Sequence, residues 1–290
     1  MKDIIGKRKI WYILSLVIII PGLISLMLQG LNLGIDFAGG SVLQLKFEQQ
    51  VGIAELRAEL TELELGNSKI QSMDDGSYQI KTIELSQEKQ DKVIAALTEK
   101  FGPVEILRNE SVGPTIGKEL RNAGLISLTL AVIGIVLYIS YRFELHFAIA
   151  AILSLLHDVL IVVSVFSILQ LEVDSTFIAA VLTILGYSIN DKIVVFDRIR
   201  ENLGTVKKEN LAPIVNESIL QSLTRSLNTS ISTLILLFAL FFFGGATTKL
   251  FVLAMIIGII AGTYSSLCIA SPIWYEIKMG SKIKKIEALK

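Results

Sequence analysis

The chain has 290 residues, 52% of them hydrophobic and 19% charged, and its 27 Lys and Arg are balanced by 27 Asp and Glu. A mean hydropathy of +0.62 places it among integral membrane proteins and excludes a wholly water-soluble one. The lone Cys268 can form no intrachain disulfide, and His146 and His157 lie roughly three turns apart on one expected helix, too far to share a metal ion.

The first apolar span covers residues 10–28 behind a basic lead of Lys2, Lys7, Arg8 and Lys9. Its apolar core exceeds the about 7–15 residues of a signal-peptide core, and no small-x-small site follows promptly, so an uncleaved first helix is expected. Residues 1–30 thus form a cytoplasmic N-terminus and first membrane helix. Residues 31–120 are polar and change period several times. A strand is expected over 41–47 and a helix over 51–63, with Ile53, Leu56, Leu60 and Leu63 on one face. Two short strands follow around the turn Asp74-Asp75-Gly76, then a helix from Ser86 to Gly102-Pro103, and a last strand over 104–112. The order β-α-β-β-α-β is the ferredoxin-like α+β pattern. This segment carries thirteen Asp and Glu against eight Lys and Arg over residues 41–112, which disfavours nucleic acid. It suits either an extended polypeptide at a sheet edge or packing against a partner.

Five more apolar spans follow, at 123–141, 147–169, 175–196, 226–243 and 250–274, so residues 121–275 are a bundle of membrane helices two to six and residues 276–290 a basic tail. The Lys and Arg fall on one side: the N-terminal lead, Arg142, then Arg198, Arg200, Lys207 and Lys208, then Lys278, Lys282, Lys284 and Lys285. The turns on the other side carry only Lys249. Both termini are therefore expected in the cytoplasm, with residues 31–120 outside. The expected architecture is a six-helix membrane protein with one extracytoplasmic ferredoxin-like domain.

The fourth span reads FIAAVLTILGYSINDKIVVF over 177–196. Stopping at Ile189 would leave about 13 residues, short of the roughly 20 a bilayer needs, whereas 175–196 gives about 22. Asp191 is then a carboxylate at membrane depth, and such groups usually face a protein interior or a watery path. The plainer alternative is a helix-end acid that snorkels out. Thr183, Tyr187, Asn190 or Asp191, and Arg198 follow helical steps on one stripe. Arg225, Asn228, Thr229 and Ser232 make a second stripe on the fifth span. Asp191 lies roughly 24 Å below Ser175 and Arg225 roughly 27 Å below Phe243, so an Asp191–Arg225 ion pair is expected. Lys192 is a competing counter-ion, and an interfacial anchor is the other reading of Arg225. His157-Asp158, about twelve residues into the third span, sits near mid-membrane. It is either a second relay position or a satisfied structural hydrogen bond. Gly258 and Gly262 form a GxxxG, which permits close helix packing.

Two catalytic patterns fail. Residues 113–119, GPTIGKE, are one residue short of a phosphate loop and carry Glu119 where Ser or Thr is required. No placement of Ser, His and Asp makes a hydrolytic triad. No enzyme activity, cofactor or metal is expected.

Three stretches resemble the SecF subunits of the SecD/SecF family: GIDFAGGS from Gly34, GYSINDKIVVFDRIREN from Gly186, and SLTRSLNTS from Ser222 with the later Phe243-Gly-Gly and the GTYSS from Gly262. The first two are specific and the third is softer; together they span 33–272, most of the chain. The resemblance implies half of an RND-like membrane assembly, completed by a SecD-like six-span chain beside the SecYEG translocon in a bacterial-type plasma membrane or thylakoid-type membrane. It implies ATP-independent help to a translocating preprotein, driven by proton-motive force. By resemblance Asp191 is the proton-bearing acid and Arg225 its switching partner, with His157 and Asp158 matching the third-span pattern. Asp36, Phe37, Gly39, Gly40 and Asn190 are implied as structural motif residues. Lys192 departs from the small or neutral residue the family pattern implies. A small-molecule or lipid exporter and a non-transporting scaffold are the competing readings.

Overall fold

With no water to satisfy its N–H and C=O groups, a backbone in hydrocarbon must close its own hydrogen bonds, which favours helices. The structure, a computed structural model, describes residues 3–73, 75–205 and 211–287. Asp74, Lys207, Lys208 and residues 288–290 lie outside the described residues, as do the side chains of Lys282, Lys284 and Lys285. In chain order the elements are α1 (Arg8–Gln29), β1 (Asn32–Leu33), α2 (Ile35–Ala38), β2 (Gly40–Phe47), α3 (Ile53–Glu62), β3 (Lys69–Ser72), β4 (Tyr78–Thr82), α4 (Gln87–Phe101) and β5 (Val104–Val112). Then come α5 (Pro114–Arg142), α6 (Leu145–Ile168), β6 (Glu172–Val173), α7 (Ser175–Thr205), α8 (Leu211–Phe243), α9 (Lys249–Ser265), a π turn (Ser266–Ala270) and α10 (Ser271–Glu287). Among the described residues six helices are long and apolar enough to cross a membrane, the sixth running through α9, the π turn and into α10.

The chain divides into two units, Leu33–Leu125 and the remainder. In the first, one antiparallel sheet has the order β3-β4-β2-β5. β4 therefore lies between β2 and β3, splitting the first β-α-β unit. The central strand β2 pairs Leu43 with Ile80 and Leu45 with Tyr78 on one side, and Leu45 with Ile106 on the other. Alternate residues Leu43, Leu45 and Phe47 pack with Ile80, Leu56 and Leu60 of α3, and Val93 and Leu97 of α4. Ser86 caps α4, its hydroxyl accepting from Lys89 N.

In the membrane unit α6, α7 and α9 are the most buried helices, while α5 and α8 expose most of their length. Glycine and serine allow the closest approaches. A Cβ on Gly22 of α1 would fall 2.1 Å from Ser164 Cβ of α6. On α9, a Cβ at Gly258 would fall 2.3 Å from Ile184 Cδ1, and one at Gly262 2.8 Å from Ser188 Oγ, both on α7. The GxxxG is thus a packing seam between α7 and α9. Toward one end of the bundle Trp274 of α10 stacks on Phe147 of α6 with ring centroids 4.7 Å apart. Two helices are longer than hydropathy suggests: α5 starts at Pro114, a residue suited to a first helical turn, and α8 starts at Leu211, well ahead of the apolar run.

Candidate functional site

α6 and α7 each carry a carboxylate deep in the membrane unit, and their surroundings differ. Asp158 of α6 is fully buried. Its Oδ2 accepts from Lys192 Nζ (2.7 Å) and from Ser188 Oγ (2.6 Å), both on α7. Its Oδ1 lies 3.0 Å from His157 Nδ1, and His157 Nε2 lies 2.8 Å from Ser15 Oγ of α1. An ionised carboxylate can only accept, so His157 Nδ1 donates to it. Lys192 is also 0% exposed. Its ammonium donates to Asp158, to Ser188 Oγ (2.5 Å) and to Ser265 Oγ of α9 (3.0 Å), using all three of its protons. A buried ion pair survives only with such complete hydrogen bonding.

Asp191 is one residue away on α7 but on another face. It is half-buried. Ser226 Oγ of α8 donates to Oδ1 (2.5 Å), and Ser266 Oγ, opening the π turn, donates to Oδ2. The π turn widens the helix where Ser266 reaches across; such turns often occur at functional positions. Two neighbouring rungs therefore join α7 to the sixth membrane helix: Asp191 with Ser266, and Lys192 with Ser265. Among the described residues Asp191 has hydroxyl partners only and no ion pair.

The expected Asp191–Arg225 contact is not formed within this chain. Arg225 is exposed; α8 turns Ser226 toward α7 instead, and adjacent helical residues point about 100° apart. Asn228, Thr229 and Ser232 share the exposed side of α8, and Asn190 and Thr183 are exposed on α7. Tyr187 Oη lies 3.3 Å from Thr233 Oγ1, and Arg198 bonds Gln221 and Glu201, so neither touches Asp191. The structure joins His157 to Asp158 through Oδ1 and gives the other oxygen of Asp158 to Lys192. The side chains the sequence reading passed over are Ser226, Ser266, Ser188, Ser265 and Ser15. The signal for Ser226 is the four-residue spacing of buried serines on α8, Ser218, Ser222, Ser226 and Ser230.

In the other unit, Asp36 and the buried Phe37 lie on α2, and Gly39 and Gly40 follow with φ of +77° and +124°. A Cβ at Gly40 would sit 2.5 Å from the Thr82 carbonyl oxygen, so only glycine fits the start of β2.

Residues 92–280 match the family described as protein export membrane protein SecD/SecF, C-terminal, and residues 24–51 match the SecD/SecF GG motif. The chain belongs to the SecD/SecF family. It is 43% identical over 292 residues to the protein translocase subunit SecF of Thermobaculum terrenum, covering 93% of this chain and 92% of that one. It is 40% identical to that of Magnetococcus marinus, covering 97% and 94%. The crystal structure of SecDF, a translocon-associated membrane protein from Thermus thermophilus, superposes with a TM-score of 0.88 at 36% identity, over 94% of this chain and 38% of that one. SecDF in its super-membrane-facing form gives 0.73 at 34% identity, over 99% and 40%. This SecF-type chain thus spans well under half the length of the SecDF chains. It is a multi-pass membrane protein of a translocase-subunit family, not of an enzyme family.

Proposed function

We propose that the chain is the SecF half of a SecD–SecF complex beside the SecYEG translocon. There it uses proton-motive force, without ATP, to help a preprotein across and limit its return. Both termini are cytoplasmic and the domain of residues 31–120 is outside, as the Lys/Arg asymmetry favours. Asp191 is the cation-bearing acid. The observation that carries this is the contrast between two carboxylates: Asp158 is sealed and matched by a lysine, whereas Asp191 is half-buried with only serine hydroxyls around it. An acid at that depth without a counter-ion is costly while ionised, so taking up a proton changes which helix arrangement is preferred.

The partner follows from the same physics. Arg225, Asn228, Thr229 and Ser232 on α8, with Asn190 and Thr183 on α7, are exposed. Polar side chains at membrane depth face protein or water rather than lipid. A SecD-like six-span chain covering this side would bring its own groups to Arg225 and Asp191, consistent with the additional length of the SecDF chains. One proton crossing 100 mV releases about 2.3 kcal/mol, a roughly fiftyfold bias on a two-state motion. A scaffold role is the second reading, favoured by the tightly bonded Asp158–Lys192 pair.

The test is Asp191→Asn in the assembled complex in inverted membrane vesicles. The expected result is normal assembly with loss of the proton-motive stimulation of late translocation. Full stimulation in that variant would leave only the scaffold.

A further inference from the structure

Lys192 is placed where a mobile cation would bind. Three oxygens converge there from three helices: Asp158 Oδ2 of α6, Ser188 Oγ of α7 and Ser265 Oγ of α9. All three lie 2.5–3.0 Å from the ammonium nitrogen. A carboxylate with two hydroxyls at those distances is a donor set for a hard monovalent cation. The ammonium fills it on a tether anchored in α7. The charged and titratable groups around it are His157 on α6, held to Asp158 and Ser15; Asp191, one residue earlier on α7; and Tyr264 on α9, whose ring lies 6.1 Å from that of His157.

We infer that the Lys192 ammonium is a built-in cation that closes the Asp158 site, so that residue 192 fixes the number of exchangeable cations this bundle can load. With lysine there, Asp191 is the one carboxylate of the pair open to exchange. Without it, Asp158 becomes a second site for a proton or a sodium ion. His157 and Asp158 are then positioning residues in this chain, holding α1, α6, α7 and α9 together while Asp191 exchanges. The inference rests on the reading of Asp191 as the cation-bearing acid.

The experiment uses the purified full chain in detergent and needs no export. Heat-unfolding midpoints of wild type, Lys192→Met and the double variant Lys192→Met/Asp158→Asn are measured from pH 5 to 9, in NaCl and in choline chloride. A group that binds a proton more tightly when folded stabilises the fold as pH falls, by up to about tenfold in the folding equilibrium per pH unit. Lys192→Met is expected to show a dependence on acid or on sodium steeper than that of wild type, whose Asp191 already exchanges, and the double variant to return to the wild-type slope. Three results would overturn the inference: a Lys192→Met profile parallel to wild type in both salts, failure of Lys192→Met to fold under every condition while the double variant folds, or retention of the steeper dependence by the double variant. Loss of the Asp191 reading would appear in the export assay instead, with these midpoints unchanged.

Discussion

The seam between α7 and α9 couples helix packing to the buried charges, and Gly262 is where the two meet. A Cβ there falls 2.8 Å from Ser188 Oγ and 3.0 Å from Ser188 Cβ. Ordinary carbon contacts begin near 3.5 Å, so Gly262→Ala requires the helices to part by several tenths of an ångström or Ser188 to rotate. Overpacking of this kind costs about 1–3 kcal/mol. Ser188, however, is not free to rotate, because its hydroxyl donates to Asp158 and accepts from Lys192. A hydrogen bond to a charged group contributes about 1.5–3 kcal/mol. Gly262→Ala should therefore cost about 2.5–6 kcal/mol in total. Gly258→Ala, which meets only the apolar Ile184, should stay within about 1–3 kcal/mol, although its nearest contact is shorter at 2.3 Å. The assay is unfolding of the purified chain by a denaturing detergent, with Ser188→Ala as the second arm of a double-mutant cycle. Gly262→Ala and Ser188→Ala should be non-additive by at least about 1 kcal/mol, whereas Gly258→Ala and Ser188→Ala should add. Additivity of the first pair, or a larger cost at Gly258 than at Gly262, would refute the link between seam and charges.

Three further outcomes test other parts of the structure. Asn216 of α8 accepts from Ile4 N and Ile5 N, both at 3.0 Å, and donates to Asp3 (2.8 Å). Asn216→Ala strands two buried N–H groups at about 1–3 kcal/mol each, so amide exchange at Ile4 and Ile5 should quicken by at least about tenfold; unchanged exchange would contradict the latch. In the unit of residues Leu33–Leu125, Ser77 Oγ and N bond the Asp75 carboxylate and hold it below its ordinary value of 3.8. A depressed carboxyl contributes stability above its unfolded value and loses it as pH falls through the folded one. Amide exchange at Ser77 should therefore rise on acidification below about 3.8, and Asp75→Asn should remove that dependence. Asn228→Leu with Ser232→Leu, on the exposed side of α8, should leave the isolated chain within about 0.5 kcal/mol of wild type. The same pair should weaken copurification of the six-span partner, and undiminished copurification would place the partner elsewhere.

The six membrane helices and the alternation of the four-stranded sheet were legible because each follows a simple period. Runs of about 20 apolar residues identify spans, and Leu43, Leu45 and Phe47 identify the inner face of β2. Asp191 and the His157-Asp158 pair stood out as polar interruptions of such runs. Their partners did not, because depth along a helix follows from counting residues while azimuth depends on which neighbours pack. Asp191 and Arg225 were matched in depth, yet α8 presents Ser226. The conspicuous stripe of Arg225, Asn228, Thr229 and Ser232 is the outer one; the inner one is a row of serines that hydropathy barely registers. Lys192 was recognised as a departure from the family pattern, but pairing it with Asp158 required the α6–α7 contact. The π turn at Ser266 has no local sequence signature here, since both flanking segments are ordinary apolar helix.

The most direct test of the central claim is proton flux in proteoliposomes holding this chain with its six-span partner, under an imposed membrane potential. Asp191→Asn is expected to reduce the flux to that of protein-free liposomes while the complex stays assembled. Flux at the wild-type rate in that variant would show that the charge crosses elsewhere and that Asp191 is not the carrier.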